Sequence, residues 1–388
     1  MGFSDGNCRV VLLLDRSLHF ARGVLRGVRS YAAGKTNWIL RDAPPSPKMM
    51  KLVADWEPAG IIAGLSTAAL ARAVKQLRIP VVDTATVLPR LGLPTVDVDP
   101  IGVGRLAAEY FLDKQYRNFG FFGSHVAVYA RLQEQGFRQR LAKAGYEAQS
   151  CYYEYLPEYT ARMLWREVTS RIIQWLDRLP KPVAIFCCED ILSRLLADTC
   201  RQLNLRVPEE VALLGCGNDE LECTLTEPTL SSIAVPAERV GYEAAALLDA
   251  LLEGQKPPDR PVFLPPISVV TRHSTDVSAI DDQIVRQAVR FIRENATRHI
   301  RVKDIAEALA VSRRLLERRF RALLGRSVLQ EIYRVRIEHA KRLLAQSHLP
   351  VGAVAFRSGF SSPRHLDVRF RQLTGLTPRA FRRQFQLP

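Results

Sequence analysis

The sequence predicts an α/β body of two doubly wound lobes with parallel sheets, followed by an all-α domain that carries two helix-turn-helix motifs. Three observations predict it: short apolar strands alternate with helices through residues 8–270, positive charge is concentrated in the last 108 residues, and that basic tail repeats itself.

In the body, strands are expected over 10–14, 60–63, 79–83, 119–122, 183–187 and 211–214, and helices over 20–32, 67–76, 102–112, 131–144, 191–203 and 239–252. Short, continuous apolar strands between helices are the pattern of parallel sheets covered on both faces. Strands and helices alternating in this way over some 260 residues suggest two lobes with a cleft between them. In such sheets a ligand lies at the carboxyl ends of the strands. That rule selects Asp15, Arg16, Ser66, Asp99, Ser124, Asp190, Asn218 and Asp219. Phe20 and Arg22 stand at the mouth of the first strand, where a ring and a guanidinium suit a sugar. Plainer roles compete: Phe20 can pack its helix against the core, and Asp99 and Asp190 can cap the helices that follow them.

Residues 281–388 hold 23 Lys+Arg against 9 Asp+Glu, or +14, whereas residues 1–280 hold 32 against 31, or +1. Clustered cations displace the counterions condensed on nucleic acid. Of the 23 cations 21 are Arg, which forks onto phosphate and guanine edges. A solvated basic face would carry the same charge, so the repeat decides. Ser312, Arg314, Leu316, Arg319, Phe320, Arg321, Leu323 and Gly325 recur 50 residues later as Ser362, Arg364, Leu366, Arg369, Phe370, Arg371, Leu373 and Gly375.

Each copy reads as helix, tight turn, helix. The first spans about 302–323: Ile305, Ala306 and Leu309 form one stripe, Ser312 caps the second helix, and Leu316, Phe320 and Leu323 form its apolar side. The second spans about 350–373: Val351, Val354 and Ala355 form the stripe, Gly359 turns, Ser362 caps and Pro363 takes the first helical position. Arg313, Arg314, Glu317, Arg318 and Arg321 then face outward on the first reading helix, and Arg364, His365, Asp367, Val368 and Arg371 on the second. Between the copies, residues 331–346 are expected to form a helical spacer of about 22 Å.

These residues carry a resemblance. Asp304-Ile-Ala, Val311-Ser312, Arg319-Phe320, Arg336 with Ala340 and Leu343-Leu344, Ser358-Gly359-Phe360 and Gly375-Leu376-Thr377-Pro378 resemble the AraC/XylS DNA-binding domain over about 284–385. The resemblance implies base reading by Arg314, Glu317, Arg318, Arg364, His365 and Val368, of which Val368 replaces a residue that is often basic. Upstream, Val98-Asp99, Gly104-Arg105, Phe119-Gly-Phe-Phe-Gly123, Gly136-Phe137, Val207-Pro-Glu-Glu and Gly215 resemble the LacI and periplasmic sugar-binding group. A periplasmic-binding-protein-like sensor ahead of twin helix-turn-helix motifs is similar to the xylose-operon regulators. The resemblance implies a sugar such as xylose in the cleft, a homodimer, and activation through RNA polymerase. Two positions depart from it: Gln133 stands where an Arg usually holds the sugar, and Gly217 where an Asp does, with Arg131, Asn218 and Asp219 close by. A non-sugar effector or a ligand-free cleft is therefore the alternative.

The expected boundaries are a tail over 1–8, a sensor over 9–272, a linker over 273–281 and a DNA-binding domain over 282–388. The only apolar run near the N-terminus is five residues long, too short for a signal core or a membrane span, so a cytoplasmic protein with no membrane partner is expected. Seven cysteines without a Cys-x-x-Cys pair indicate neither a disulfide framework nor a zinc site. There is no Walker loop, no Gly-x-Gly-x-x-Gly and no His-x-x-x-His. Cys187 and Cys188 follow a strand but are succeeded by Glu189-Asp190, whose charges oppose a thiolate. No catalytic residue, cofactor or metal is expected; the partners are duplex DNA and a small molecule.

Overall fold

The computed structural model describes residues 7–35, 37–89, 91–153, 167–276 and 282–386. The first lobe contains β1 (Cys8–Leu13), α1 (His19–Ala32), β2 (Trp38–Asp42), α2 (Met50–Asp55), β3 (Gly60–Ala63), α3 (Ala68–Gln76) and β4 (Val81–Asp83). β5 (Val96–Val98) and α4 (Pro100–Asp113) cross to the second lobe. There follow β6 (Asn118–Ser124), α5 (Val128–Ala142), β7 (Ala148–Tyr153), α6 (Glu167–Arg178), β8 (Val183–Cys187), α7 (Asp190–Gln202), β9 (Val211–Gly217), α8 (Glu220–Thr224) and β10 (Ser231–Ala234). The chain returns through α9 (Ala237–Leu252) and β11 (Val262–Leu264), then closes the second sheet with β12 (Ser268–Val270).

The first sheet has the order β2-β1-β3-β4 and the second β12-β10-β9-β8-β6-β7, with β11 paired to β5. Every described pairing is parallel except that of β10 with β12. The parallel sheets follow from strands such as Gly60–Ala63 and Val183–Cys187, which are buried along their whole length. Helices close on one another where side chains vanish. A Cβ on Gly27 of α1 would stand 1.8 Å from the Glu238 carbonyl oxygen of α9, and one on Gly104 of α4 would stand 1.8 Å from the Gln133 carbonyl oxygen of α5.

The C-terminal part is helical: α10 (Gln283–Asn295), α11 (Val302–Ala308), α12 (Arg313–Leu324), α13 (Val328–Gln346), α14 (Val351–Arg357), α15 (Pro363–Thr374) and α16 (Pro378–Phe385). Ser312 and Ser362 accept bonds from Leu315 N–H and His365 N–H, and Gly325 and Gly375 end the same helices with left-handed φ. The expected spacer is more than a spacer. It starts at Val328, three residues earlier than expected, and its two halves complete two cores. Val328 and Ile332 pack with Ile305, Leu316 and Phe320, whereas Ile337, Ala340 and Leu344 pack with Val354, Leu366, Phe370 and Phe381. Ala234 and Ile267 of the body join the second of these cores.

The expected linker over 273–281 begins too early. Ser274 and Thr275 are fully buried: Ser274 Oγ accepts from Ser231 N–H at 2.9 Å and donates to the Leu213 carbonyl at 2.6 Å. Short polar residues gave no sign of this, because what buries them are the strands β9 and β10, distant in sequence. Residues 277–281 lie outside the described residues.

Candidate DNA-reading face and effector cleft

The arginines of the helical domain divide into two sets by what they touch. Those facing inward are held: Arg319 meets Asp282 at 2.7 Å, Arg369 lies over the Tyr333 ring at 4.6 Å, and the Arg336 guanidinium donates to the Ala296 and Arg298 carbonyls at 2.7 and 3.0 Å. Arg313, Arg314, Arg318 and Arg321 on α12, and Arg364 and Arg371 on α15, are exposed. None of the six has a side-chain hydrogen bond or ion pair among the described residues. Free forks on one side of two equivalent helices are what phosphate and base edges require. Glu317 is half-buried on the same helix, and Val368 is 47% exposed on α15, offering an apolar surface.

His365 is placed differently from its neighbours. Its Nδ1 lies 3.1 Å from Ser361 Oγ, and its ring packs edge-on against Tyr333 and Phe360 at 5.3 and 5.4 Å. Burial, with Arg369 and Arg336 nearby, lowers its pKa and favours the neutral ring. His365 anchors α15 to the α13 and α14 side as much as it faces outward.

The carboxyl ends of the strands gather the second set. Gln133 and Asp190 are buried on either side of Cys216: Gln133 Nε2 points to the Cys216 sulfur at 3.9 Å, and a Cβ on Gly215 would stand 2.2 Å from Asp190 Oδ1. Asp190 Oδ2 accepts from Asp219 N–H at 2.8 Å. Gln133 Oε1 and Asp190 Oδ1 have no hydrogen-bond partner among the described residues. Burial pushes the Asp190 carboxyl up to about 7, against the pull of the Ser232 hydroxyl, the Asp219 N–H and Arg272. Asp219 Oδ1 caps α8 through Leu221 N–H and lies 3.9 Å from His19 Nδ1 of the first lobe. Asn218 takes φ 54°, donates its N–H to Ser232 Oγ and accepts from Arg272 Nη2 at 2.9 Å.

Other expected ligands are engaged elsewhere. Arg16 pairs with Asp42 at 3.1 Å, Asp15 accepts from Ser17 N–H and Oγ, and Arg22 donates to the Arg16 and Ser17 carbonyls. These three fold the loop after β1. Phe20 packs on the core, half-buried, as its plainer role required. Arg131 is exposed, one turn-side away from buried Gln133, and Ser66 is half-buried after β3. Asp99 stands at the expected cap position of α4 but makes no side-chain cap bond, and the other cap expectation fails, since Glu189, not Asp190, stands at the cap of α7. Asp190 turns inward instead. Ser124 Oγ accepts from Val126 N–H at 3.2 Å.

A periplasmic binding protein-like domain matches residues 108–275, and a helix-turn-helix domain matches residues 305–384. The xylose operon regulatory protein of Escherichia coli (strain K12) is 28% identical over 384 residues, covering 96% of each chain. That of Haemophilus influenzae is 30% identical over 292 residues, covering 74% of each. The chain belongs to the xylose operon regulatory protein family. A solved structure of the xylose-binding transcription activator XylR shares 26% identity and a TM-score of 0.61, covering 98% of this chain and 99% of that one.

As a member of the xylose operon regulatory proteins the chain is a DNA-binding transcription regulator with a periplasmic-binding-protein-like sensor. Its relatives are regulators, and the thiols of Cys187 and Cys188 are pushed well up by burial, away from a nucleophilic thiolate. No helix of the described residues is long and apolar enough to cross a membrane, and no described His, Cys, Asp and Glu cluster is placed to hold a metal. Reading along the chain missed three groups that touch the expected ligand residues or their neighbours. His19 lies one residue before the expected helix; Tyr129, whose hydroxyl donates to Glu189, lies in a helix start placed too late; Arg272 was assigned to the end of the sensor.

Proposed function

We propose that the protein is a cytoplasmic, homodimeric activator whose DNA binding is set by a sugar held between the lobes, with xylose the first candidate. The observation that carries this reading is the pair of buried acceptors, Gln133 Oε1 and Asp190 Oδ1, left without donors at the strand ends. A buried acceptor without a partner costs about 1–3 kcal/mol, and sugar hydroxyls supply donors. His19 and Asp219, one from each lobe, already meet at 3.9 Å, so closure over a ligand would need little motion. The relatives named for xylose support the choice of sugar. Gln133 in place of an Arg removes a cation and adds an acceptor, which suits hydroxyls more than a sugar acid.

On the DNA side, Arg313, Arg314, Glu317, Arg318 and Arg321 of the first head, and Arg364, His365, Val368 and Arg371 of the second, form the reading surface. Two heads per chain and two chains per dimer would read a repeated site in successive major grooves. An activator would then contact RNA polymerase. A ligand preferring the closed lobes is what such coupling requires, since equal affinity for both arrangements shifts nothing. The test is thermal unfolding with D-xylose and other pentoses and hexoses. A bound sugar at 100 times its Kd adds about 2.7 kcal/mol, a clear rise in Tm. A rise with xylose alone supports the reading; no rise with any sugar overturns it and leaves a non-sugar effector or a ligand-free cleft.

A further inference from the structure

The body and the helical domain meet at a ring of charges whose centre is a buried acid. Glu331 opens α13, and its side chain is 1% exposed. In the internal repeat its counterpart is Phe381, a core residue of the second helix-turn-helix. An acid therefore stands where the other copy packs a phenyl ring. It is fully paired: Arg334 Nη2 meets Oε1 at 2.7 Å, Arg334 Nε meets Oε2 at 2.9 Å, and Arg326 Nε meets Oε2 at 2.6 Å. A buried carboxylate survives only with such partners, and removing one of them is costly.

The ring is completed from the sensor. Arg334 Nη1 reaches Asp113 Oδ2 at 3.1 Å and Arg326 Nη1 reaches Asp113 Oδ1 at 3.8 Å. Asp113 is the last residue of α4. Lys114 follows, 2% exposed, with its ammonium donating to the Thr275 carbonyl. Tyr110 OH bonds Thr271 Oγ1 at 2.9 Å and Thr275 Oγ1 at 2.6 Å. From the other side Arg293 of α10 donates to the Asp276 carbonyl and carboxylate at 3.1 and 3.2 Å. The end of α4 thus holds both the chain leaving the sensor and the first helix-turn-helix.

The other end of α4 lies at the crossover between lobes, directly after β5. Along its length it packs backbone-close on α5 at Gln133, one of the two donor-less acceptors. At about 1.5 Å per residue its 14 residues form a rigid rod of about 21 Å. We propose that Asp113, with Arg326, Glu331 and Arg334, is the joint through which α4 positions the first reading head on the sensor, so that lobe closure is read at this point. The assignment rests on the regulator reading above. Asp113 acts through Arg334 and Arg326, not on DNA or effector, and is a positioning residue.

The test compares wild type, Asp113→Asn and Asp113→Glu as full-length protein. The DNA probe is a duplex selected by the wild type from a random pool, and the effector probe is D-xylose. Asp113 is half exposed, so Asp113→Asn should move Tm by no more than about 2 °C. The amides in the first turns of α13 should exchange about tenfold faster in Asp113→Asn and return to the wild-type rate in Asp113→Glu. The factor by which xylose changes DNA affinity should fall about tenfold in Asp113→Asn, with the xylose Kd itself within about twofold, and be restored in Asp113→Glu. Wild-type exchange or wild-type coupling in Asp113→Asn overturns the joint. If xylose binds none of the three proteins, the effector reading fails, and the joint stands or falls on the exchange rates and their rescue by Glu.

Discussion

Asp190 shows how one side chain can tie cleft chemistry to stability. Burial disfavours its charge and pushes its carboxyl up to about 7 in the fold, well above the ordinary Asp value of about 4. Below about pH 4 both folded and unfolded carboxyls hold the proton, and the group's stabilising preference for the protonated fold is fully present. As pH rises through the window from about 4 to 7 the unfolded carboxyl ionises first, so that contribution is lost, completely so above 7. Over three units this amounts to roughly 3–5 kcal/mol. The unfolding free energy of Asp190→Asn minus that of wild type should therefore grow by a few kcal/mol between pH 4 and pH 8. A difference that stays flat across this range would show that Asp190 is solvated like a surface acid. A sugar hydroxyl donating to Oδ1 would favour the ionised form and pull the titration back down. Asp190 was legible from its place after a strand, but its inward turn was not: the adjoining Glu189 could cap the helix equally well, and only the approach of Gly215 and of the Asp219 N–H decides between them. His19 was illegible for the same reason, since its partner Asp219 lies 200 residues away on the other lobe.

Among the elements, α13 and the turn before α15 set how the two heads are held. Gly359 has φ 82°, and a Cβ there would stand 2.3 Å from the Ala296 carbonyl oxygen and 2.8 Å from Arg336 Nε. It is the point where the second helix-turn-helix meets the turn after α10, beside the Arg336 bridge. Gly375 has a similar φ, 75°, but open space around it. Gly359→Ala should then cost about 2–4 kcal/mol, left-handed strain plus overpacking, whereas Gly375→Ala should cost about 1 kcal/mol, strain alone. Urea unfolding of the two full-length variants measures both; equal losses would mean that the Arg336 bridge gives way freely. The helix-turn-helix elements were readable because caps, turn glycines and stripes are local and occur twice. The strands β2, β5, β7, β10, β11 and β12 were not: Ser231–Ala234, for instance, begins with two serines and owes its place to the β9 and β12 backbones beside it. The helix α10 could have been found, since Val285, Ala288, Val289 and Ile292 form a stripe behind the Asp282 cap.

At the scale of the whole molecule, charge and spacing act together. Almost all of the formal +15 belongs to the helical domain, and its inward arginines are consumed by carbonyls and acids, so the outward ones are left for DNA. The 19 residues of α13 extend about 28 Å, commensurate with the roughly 34 Å between successive major-groove faces. Arg314 and Arg364 occupy equivalent places on the two heads, and neither has a described partner to lose. Replacing each by Ala should weaken binding by about 1–3 kcal/mol and relax sequence preference at a separate set of base pairs, the two sets lying about one helical turn apart. Titration of duplexes with single base-pair changes, at two salt concentrations, reads this directly. If each arginine reads a base, preference is lost at its own positions while the salt slope barely changes. If it only binds phosphate, every duplex weakens alike and the slope falls by about one unit. If both variants relax the same positions, the two heads share one groove, and the spacing imposed by α13 is not what registers the protein on its site.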